Sequence, residues 1–418
     1  MLLFRCYPRI TDWIYITFGQ SESFDFRFLP IFSYGFFVAM GFLVAATLSA
    51  LEMRRRERLG LMRGVEAEIT LGEAPRYFDC ALYFLFGFLL LFKVGGVFSY
   101  HDMLRTKQLT MAEYMLPGSD NFLSKIFSIL QYGNWITGIL GGVLFAGLYY
   151  YFKNKEKLPQ PVTKKVQNMP SDNIGDLVVL AAVFGVMGSN LFNFLENPDD
   201  YKNFWNDPLG SMFSGLSVYG GLICAGVAFA VYAYWKKIHT GYLFDSVAPS
   251  FILANGIGRI GCHVSGDGDW GITNTATKPG WLPDWMWSNY YEHNIIDSGV
   301  PISGCIEEHC FQLAQPAYPT PIYEFLMCTA IFFILWSLRK RFTKVPFLLF
   351  FAFTILIGIQ RFVIEQFRDL SGRDTYHLLG GEFRQSEVIS MIMVLVGIIG
   401  MIWLWRKNKS LLLSASKS

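Results

Sequence analysis

Long apolar runs alternate with short polar segments along most of the chain. Runs near 30–51, 78–100, 132–152, 176–196, 215–235, 245–263, 320–338, 345–366 and 386–405 are each long enough for a membrane-spanning helix, which needs about 20 apolar residues. Backbone in lipid must satisfy its own hydrogen bonds, and no run shows the alternation of a barrel strand. The pattern predicts an all-α, polytopic integral membrane protein of about nine transmembrane helices.

Basic residues set the orientation. Arg54, Arg55, Arg56 and Arg58 follow the first run, and Lys153, Lys155, Lys157, Lys164 and Lys165 follow the third. Lys236 and Lys237 follow the fifth, Arg339 to Arg341 with Lys344 the seventh, and Arg406, Lys407 and Lys409 the last. Basic loops stay inside, which predicts an exported N-terminus and a cytoplasmic C-terminus. Composition agrees with a bilayer: 52% of residues are hydrophobic and 16% charged, against about a quarter charged in soluble domains. The net charge of +2 says nothing about nucleic acid, and no basic tract is interleaved with aromatics as such binding needs, so no nucleic-acid partner is expected. Helices two and four are weakly alike, each running from an acidic start (Asp79, Asp176) through Phe and Gly, a likeness too slight to establish an inserted or duplicated pair.

The exported segment 264–319 is rich in Gly, Pro, Trp and Asp, and reads either as a lid over a site or as an interfacial aromatic belt. Of the seven cysteines, Cys6, Cys80, Cys224, Cys262 and Cys328 are scattered, while Cys305 and Cys310 share this exported loop. An oxidising compartment would allow the latter two to bridge. A zinc site with His293 and His309 is the alternative.

Three basic residues fall inside apolar runs: Lys93, Arg259 and Arg361. Charge at the centre of a span costs about 2.5–3.5 kcal/mol on insertion scales, so such residues face protein and mark function. Lys93 is near enough to its helix end to snorkel. Arg259 and Arg361 lie at similar depth near the exported ends of separate helices. In the stripe Arg361-Phe-Val-Ile-Glu365-Gln-Phe-Arg368 the charged positions share one face, so Arg361 and Glu365 can form a structural ion pair. Two guanidiniums for one carboxylate, with Arg259 added, predict instead a net positive pocket at headgroup depth, suited to phosphate oxygens. Around Arg259 the segment Asn255-Gly-Ile-Gly-Arg259-Ile-Gly-Cys-His-Val-Ser-Gly-Asp267-Gly-Asp269-Trp-Gly271 holds six glycines, which allow sharp turns and close approach of a ligand.

These residues resemble the bacterial prolipoprotein diacylglyceryl transferases. The family signature G-R-x-G-N-F-x-N-G-E-x-x-G is tracked by Gly258-Arg259-Ile-Gly261-Cys262-His263-Val-Ser265-Gly266-Asp267. Phe32-Ser-Tyr34-Gly35 is similar to the family's W-Y-G. Asp207-Pro-Leu followed by Ser217-Val-Tyr219-Gly220-Gly221-Leu222 is similar to D-P…S-x-H-G-G-L. Tyr318-Pro-Thr-Pro-Ile-Tyr323-Glu324 looks like H-P-S-Q-L-Y-E, and Gly358-Ile-Gln-Arg361-Phe-Val-Ile-Glu365-Gln-Phe-Arg368 like G-x-x-R-F-x-x-E-x-x-R. Family members usually have seven spans, so two helices are extra. The resemblance divides the chain into an exported amphipathic arm (1–29, with Ile10 to Phe18 lying against the bilayer), the first helix of the transferase core (30–52), and a cytoplasmic loop plus the extra pair (53–155). A cytoplasmic linker (156–175), the remaining core (176–405) and a cytoplasmic tail (406–418) follow. Tyr219 and Tyr318 stand where the family has histidines, Cys262 where it has asparagine, and Asp267 where it has glutamate.

The resemblance implies transfer of the diacylglyceryl group of phosphatidylglycerol to the lipobox cysteine thiol of a prolipoprotein signal peptide, in the bacterial inner membrane. A thioether forms, glycerol 1-phosphate leaves, and no metal or organic cofactor takes part. It implies phosphate contacts from Arg259 and Arg361 with Arg368 in support, and Glu365 and Asp267 orienting them or the glycerol hydroxyls. Tyr34 and Tyr219 would bond the headgroup, with Gly220, Gly221 and Gly271 beside it. With the family histidine replaced, His263 becomes the candidate base, since imidazole titrates in the useful range, although it could merely cap its helix. The alternatives are a lipid transporter or scramblase, whose sites lie at the bilayer midplane, and an inactive membrane scaffold of the same fold.

Overall fold

A computed structural model describes residues 6–18, 31–100, 130, 132–197, 217–305, 309–368, 375–378, 381–407 and 409. Each predicted run is a helix: α1 (Ile10–Phe18) precedes α2 (Ser33–Arg58), α3 (Tyr77–Ser99), α4 (Trp135–Lys155), α5 (Ile174–Glu196) and α6 (Val218–Trp235). Then come α7 (Thr240–Ser265), α8 (Thr320–Arg341), α9 (Leu348–Glu365) and α10 (Gln385–Lys407). Among the described residues eight helices are long and apolar enough to cross a membrane, so this is a multi-pass membrane protein. The ninth, α7, is equally long but carries Asp245, Arg259 and His263, because protein rather than lipid surrounds it.

Helix α7 is the axis of the molecule, packing on α2, α8 and α9. Ala248 and Ile252 of α7, Cys328, Ile331, Phe332 and Leu335 of α8, and Leu349 and Phe353 of α9 form one buried cluster. Lipid tails are as apolar as these side chains, so close packing and interhelical polar contacts, more than dehydration, hold such helices together. Both are present: Ser49 and Ser250 hydroxyls meet at 2.6 Å, and a Cβ on Gly41 would lie 2.9 Å from the Ala254 carbonyl oxygen. At one end of this bundle Glu52 accepts from Arg55 (2.6 Å) and Arg56 (3.0 Å), with Arg339 at 3.4 Å. At the other end lie Arg259 and Arg361.

The hairpin α3–α4 is mounted on a ribbon. Strand β1 (Val65–Leu71) pairs antiparallel with β2 (Val162–Asn168), so the chain leaves and re-enters the core at adjacent points. The likeness of helices two and four extends to their partners. Asp79 accepts from Tyr149 (2.9 Å) as Asp176 accepts from Tyr232 (2.6 Å). The N–H opening α4 (Asn134) bonds the Phe92 carbonyl at 3.0 Å, and that opening α6 (Ser217) bonds Ser189 at 2.9 Å, at the same spacings in each hairpin. Lys93 donates to the Tyr132 carbonyl at 3.0 Å and stays with this pair.

Two expectations change. The N-terminal arm is held by protein and not by the bilayer alone: the Cys6 and Tyr7 N–H groups bond the Glu292 and Val264 carbonyls, and Ser33 Oγ donates to the Tyr7 carbonyl. The segment 264–319 has a core of its own, where Trp270, Tyr291 and Ala317 are buried together with Cys6 of the arm. The Asn294 amide bonds three carbonyls there. Cys305 and Cys310 are joined as a disulfide, so neither thiolate is left for a zinc ion.

The ribbon geometry predicts that the extra pair is dispensable for folding. Replacing 65–168 by a short Gly-Ser linker should leave the rest membrane-inserted and folded, with a single melting transition. Aggregation of the shortened chain in mild detergent, where the full chain is monodisperse, would show that the pair is integral to the core.

Candidate active site

Three chain segments that lie far apart in sequence are stitched together beyond the end of α7. The Gly271 N–H bonds the Tyr318 carbonyl (2.8 Å), Ile272 N–H bonds Phe367 (2.9 Å), and Tyr318 N–H bonds Ile272 (3.1 Å). Thr320 Oγ1 adds a bond to the Asp269 carbonyl at 2.7 Å. Gly271 has no substitute here, since a Cβ would lie 2.5 Å from the Phe367 carbonyl oxygen. Helix α7 can turn into this junction because Gly266 caps it in the left-handed conformation (φ 66°), which glycine adopts without steric cost.

The junction fixes one cluster of charge. Glu324, on the second turn of α8 and 1% exposed, forms an ion pair with Arg259 Nε at 2.7 Å and accepts from Arg368 Nη2 at 2.9 Å. Its carboxylate also stands 3.5 Å from Arg361 Nη1. Asp269 is paired with Arg259 and lies 3.1 Å from Arg368, while Glu365 lies 3.6 Å from Arg361. Three guanidiniums from α7, α9 and the segment after α9 thus share three carboxylates. The expected net positive pocket is therefore not found: the cluster is close to neutral before Asp267 is counted. The Arg361–Glu365 pair is present, but as one edge of a network rather than a closed pair. Arg361 is the most loosely held and the most exposed of the three, at 20% against 14% and 4%.

The other candidates divide. Tyr34 is half exposed, its backbone against Gly261 between Arg259 and His263. Tyr219 lies within electrostatic range of Arg361, and its buried hydroxyl has no hydrogen-bond partner among the described residues. Asp267 is close to the cluster: its carboxylate, that of Asp269 and the Cys262 thiol all lie within 4.8 Å of one another. That trio could hold a cation, although Arg259 already claims Asp269. Burial, and then the charge of Asp269, hold the Asp267 carboxyl above the usual carboxylate range.

His263 is 4% exposed, and its Nδ1 meets Tyr291 Oη at 3.2 Å inside the loop core. That contact turns the ring of the candidate base toward the loop. Gly220 and Gly221 were expected beside lipid, but they are packing positions. A Cβ on Gly221 would lie 2.7 Å from the Gly185 carbonyl of α5, and Gly220 abuts Gly188 and Phe192. Gly271 belongs to the backbone junction. The Asp207-Pro-Leu stretch lies outside the described residues. The sequence reading missed Glu324 as the hub. The signal was available, since it is the one acidic residue in the apolar run 320–338, as anomalous there as any arginine.

With this geometry in hand, the comparisons with known proteins are specific. The family model described as prolipoprotein diacylglyceryl transferase matches residues 127–403, from just before α4 into α10. The chain is 28% identical over 247 residues to the phosphatidylglycerol–prolipoprotein diacylglyceryl transferase of Clostridium novyi, covering 59% of this chain and 85% of that one. The corresponding proteins of Streptococcus mutans (27% over 257 residues, 59% and 83%) and Listeria monocytogenes (29% over 234 residues, 56% and 74%) give similar values. Both the motifs and the matched span lead to one assignment: the chain belongs to the prolipoprotein diacylglyceryl transferase family.

Proposed function

We propose that this protein transfers the diacylglyceryl group of phosphatidylglycerol to the lipobox cysteine thiol of prolipoproteins, at the exported face of the bacterial inner membrane. The observation that carries the reading is the set of guanidiniums gathered by Glu324 at one membrane face. Neither a transporter nor an inactive scaffold is favoured, since the relatives compared carry the enzyme's name. All nine long helices span in this reading, with the N-terminus exported. The domain division is part of the same proposal, and the packing of α2 on α7 supports α2 as the first helix of the core.

The reaction joins sulfur to the terminal glycerol carbon as the carbon–oxygen bond to phosphate breaks. The thiol proton goes to a base, and the electron pair of the broken bond leaves with glycerol 1-phosphate. Arg361, the loosest guanidinium, takes the phosphate oxygens first, and Arg259 exchanges part of its hold on Asp269 for them. Fixed donors aimed at an oxygen gaining charge stabilise the transition state. Arg368, the most buried of the three, is a positioning residue that holds Glu324. Tyr219 and Tyr34 donate to the headgroup, and Glu365 orients Arg361. Asp267 is the better proton acceptor, since a carboxylate above its usual range is a stronger base and it adjoins Arg259 through Cys262. His263 positions Tyr291.

A cysteine placed at Gly280 should react with an impermeant thiol reagent in intact cells, and one at Lys165 should not. The reverse pattern would put the proposed site on the wrong side of the membrane.

Arg361→Lys keeps the charge but loses the planar fork. It should lower kcat/KM for lipid at least about tenfold, while Lys93→Gln leaves it unchanged. Equal losses would mean that headgroup recognition is not centred on Arg361.

The base is read from a pH profile. Because the Asp267 pKa is raised, its carboxylate protonates as pH falls at values above those of an exposed aspartate (about 3.9). Wild-type turnover should therefore be lost along an acid limb above that value, and Asp267→Asn should remove the limb. The variant should also be slower by about 10²–10⁴. It should be partly rescued above pH about 8.5, where the substrate thiol ionises unaided. His263→Gln should keep the acid limb. If the limb disappears in His263→Gln and persists in Asp267→Asn, the roles are exchanged.

A further inference from the structure

A second concentration of charge lies at the membrane face opposite the Glu324 network, and it falls into two parts. Arg55, Arg56 and Arg339 gather around Glu52, with Asp245 3.9 Å from Arg56, so this part is largely neutralised from within. The other part is not. Where the β1–β2 ribbon meets the start of α5 and the α6–α7 turn there is a cavity of about 150 Å³, lined by Arg63, Lys236, Lys237, Asn168, Asn173 and Trp235 among others. No carboxylate lines it among the described residues. The nearby acids are committed to neutral donors: Glu57 to Ser171 (2.7 and 2.8 Å), Asp172 to the Met169 N–H, and Asp176 to the Tyr232 hydroxyl. The two asparagine amides bond each other across the floor. Lys236 has only the face of Tyr232, at 5.7 Å, and no ion pair engages any of the three cations among the described residues. Lys237 takes a left-handed φ of 54°, uncommon for a residue with a Cβ and frequent at functional sites.

Depth points to the ligand. Tyr234 and Trp235, the last residues of α6, are 81% and 75% exposed, the aromatic belt of a membrane–water boundary. The cavity therefore opens at headgroup level. Three cations without an ion pair among the described residues attract an anion there, and basic pockets between spanning helices on the cytoplasmic side take lipid phosphates. We propose that this cavity is a second lipid site, which holds the phosphate of an anionic phospholipid from the leaflet opposite the Glu324 network. The ribbon of the extra hairpin supplies one wall, so the inserted module completes the site. The proposal does not rest on the transferase reading.

The test is photolabelling of the full-length protein in detergent with a short-chain, photoreactive phosphatidic acid, followed by peptide mapping. Label should appear on the peptide holding Trp235 to Ile238. The triple variant Arg63→Gln, Lys236→Gln, Lys237→Gln should weaken labelling there by about a hundredfold in apparent affinity. The charge-keeping Arg63→Lys, Lys236→Arg, Lys237→Arg should retain it. An unchanged melting temperature and a monodisperse elution profile in both variants serve as the control for folding. If inorganic phosphate at equal concentration leaves the label in place, the lipid is the source of the phosphate. If it displaces the label as well as the lipid does, the cavity takes the same group from solution. Equal labelling by a phosphatidylcholine probe, or undiminished labelling of the neutral triple variant, overturns the proposal.

Discussion

Glu324 pairs with three guanidiniums, from α7, α9 and the segment after α9, and it does so while 1% exposed. Surroundings of low dielectric make such contacts strong and their loss severe: stranding one partner of a buried ion pair costs about 3–5 kcal/mol. The end of α7, the start of α8 and the end of α9 must therefore keep one relative position. Much of the architecture at this face serves that requirement. The backbone bonds joining Gly271, Tyr318 and Phe367 hold the three segments in register, and the disulfide and the Asn294 bonds stiffen the loop between two of them.

The opposite face solves the same problem differently. Glu52 is likewise surrounded by arginines, but its partners Arg55 and Arg56 come from its own helix, one turn on. That cluster links α2 to α7 and α8 and leaves little charge over. A chain with a carboxylate hub at each end of one central bundle has its helices locked at both interfaces, where lipid alone would let them slide. The extra hairpin is outside this frame. It packs on itself in the register of α5–α6 and meets the core through a ribbon.

The helices were legible because a long apolar run in water-poor surroundings has one solution, and the structure supplies a helix for each run. Arg259 and Arg361 were legible because a cation in such a run is conspicuous. Glu324, Asp245 and Glu52 are just as anomalous, and weighing only the basic residues produced the expectation of a positive pocket. Gly220 and Gly271 illustrate a different limit. A glycine needed for a helix crossing or a backbone junction reads the same, in one sequence, as a glycine needed beside a ligand. His263 is a third case, since position one turn beyond Arg259 does not say which way the ring turns once Tyr291 arrives from a distant loop.

Near-neutrality also bears on turnover. A phosphodiester headgroup carries one negative charge, and the phosphate released on carbon–oxygen cleavage carries up to two. A strongly positive pocket would bind that product better than the substrate, and release would then limit the rate. In the network around Glu324 each guanidinium that lets go of phosphate has a carboxylate waiting: Asp269 for Arg259, Glu365 for Arg361. The internal anions compete with the leaving group for the same forks. On the proposed reading the carboxylates are thus more than supports for the arginines, because they supply the exchange partners that let a charged product depart.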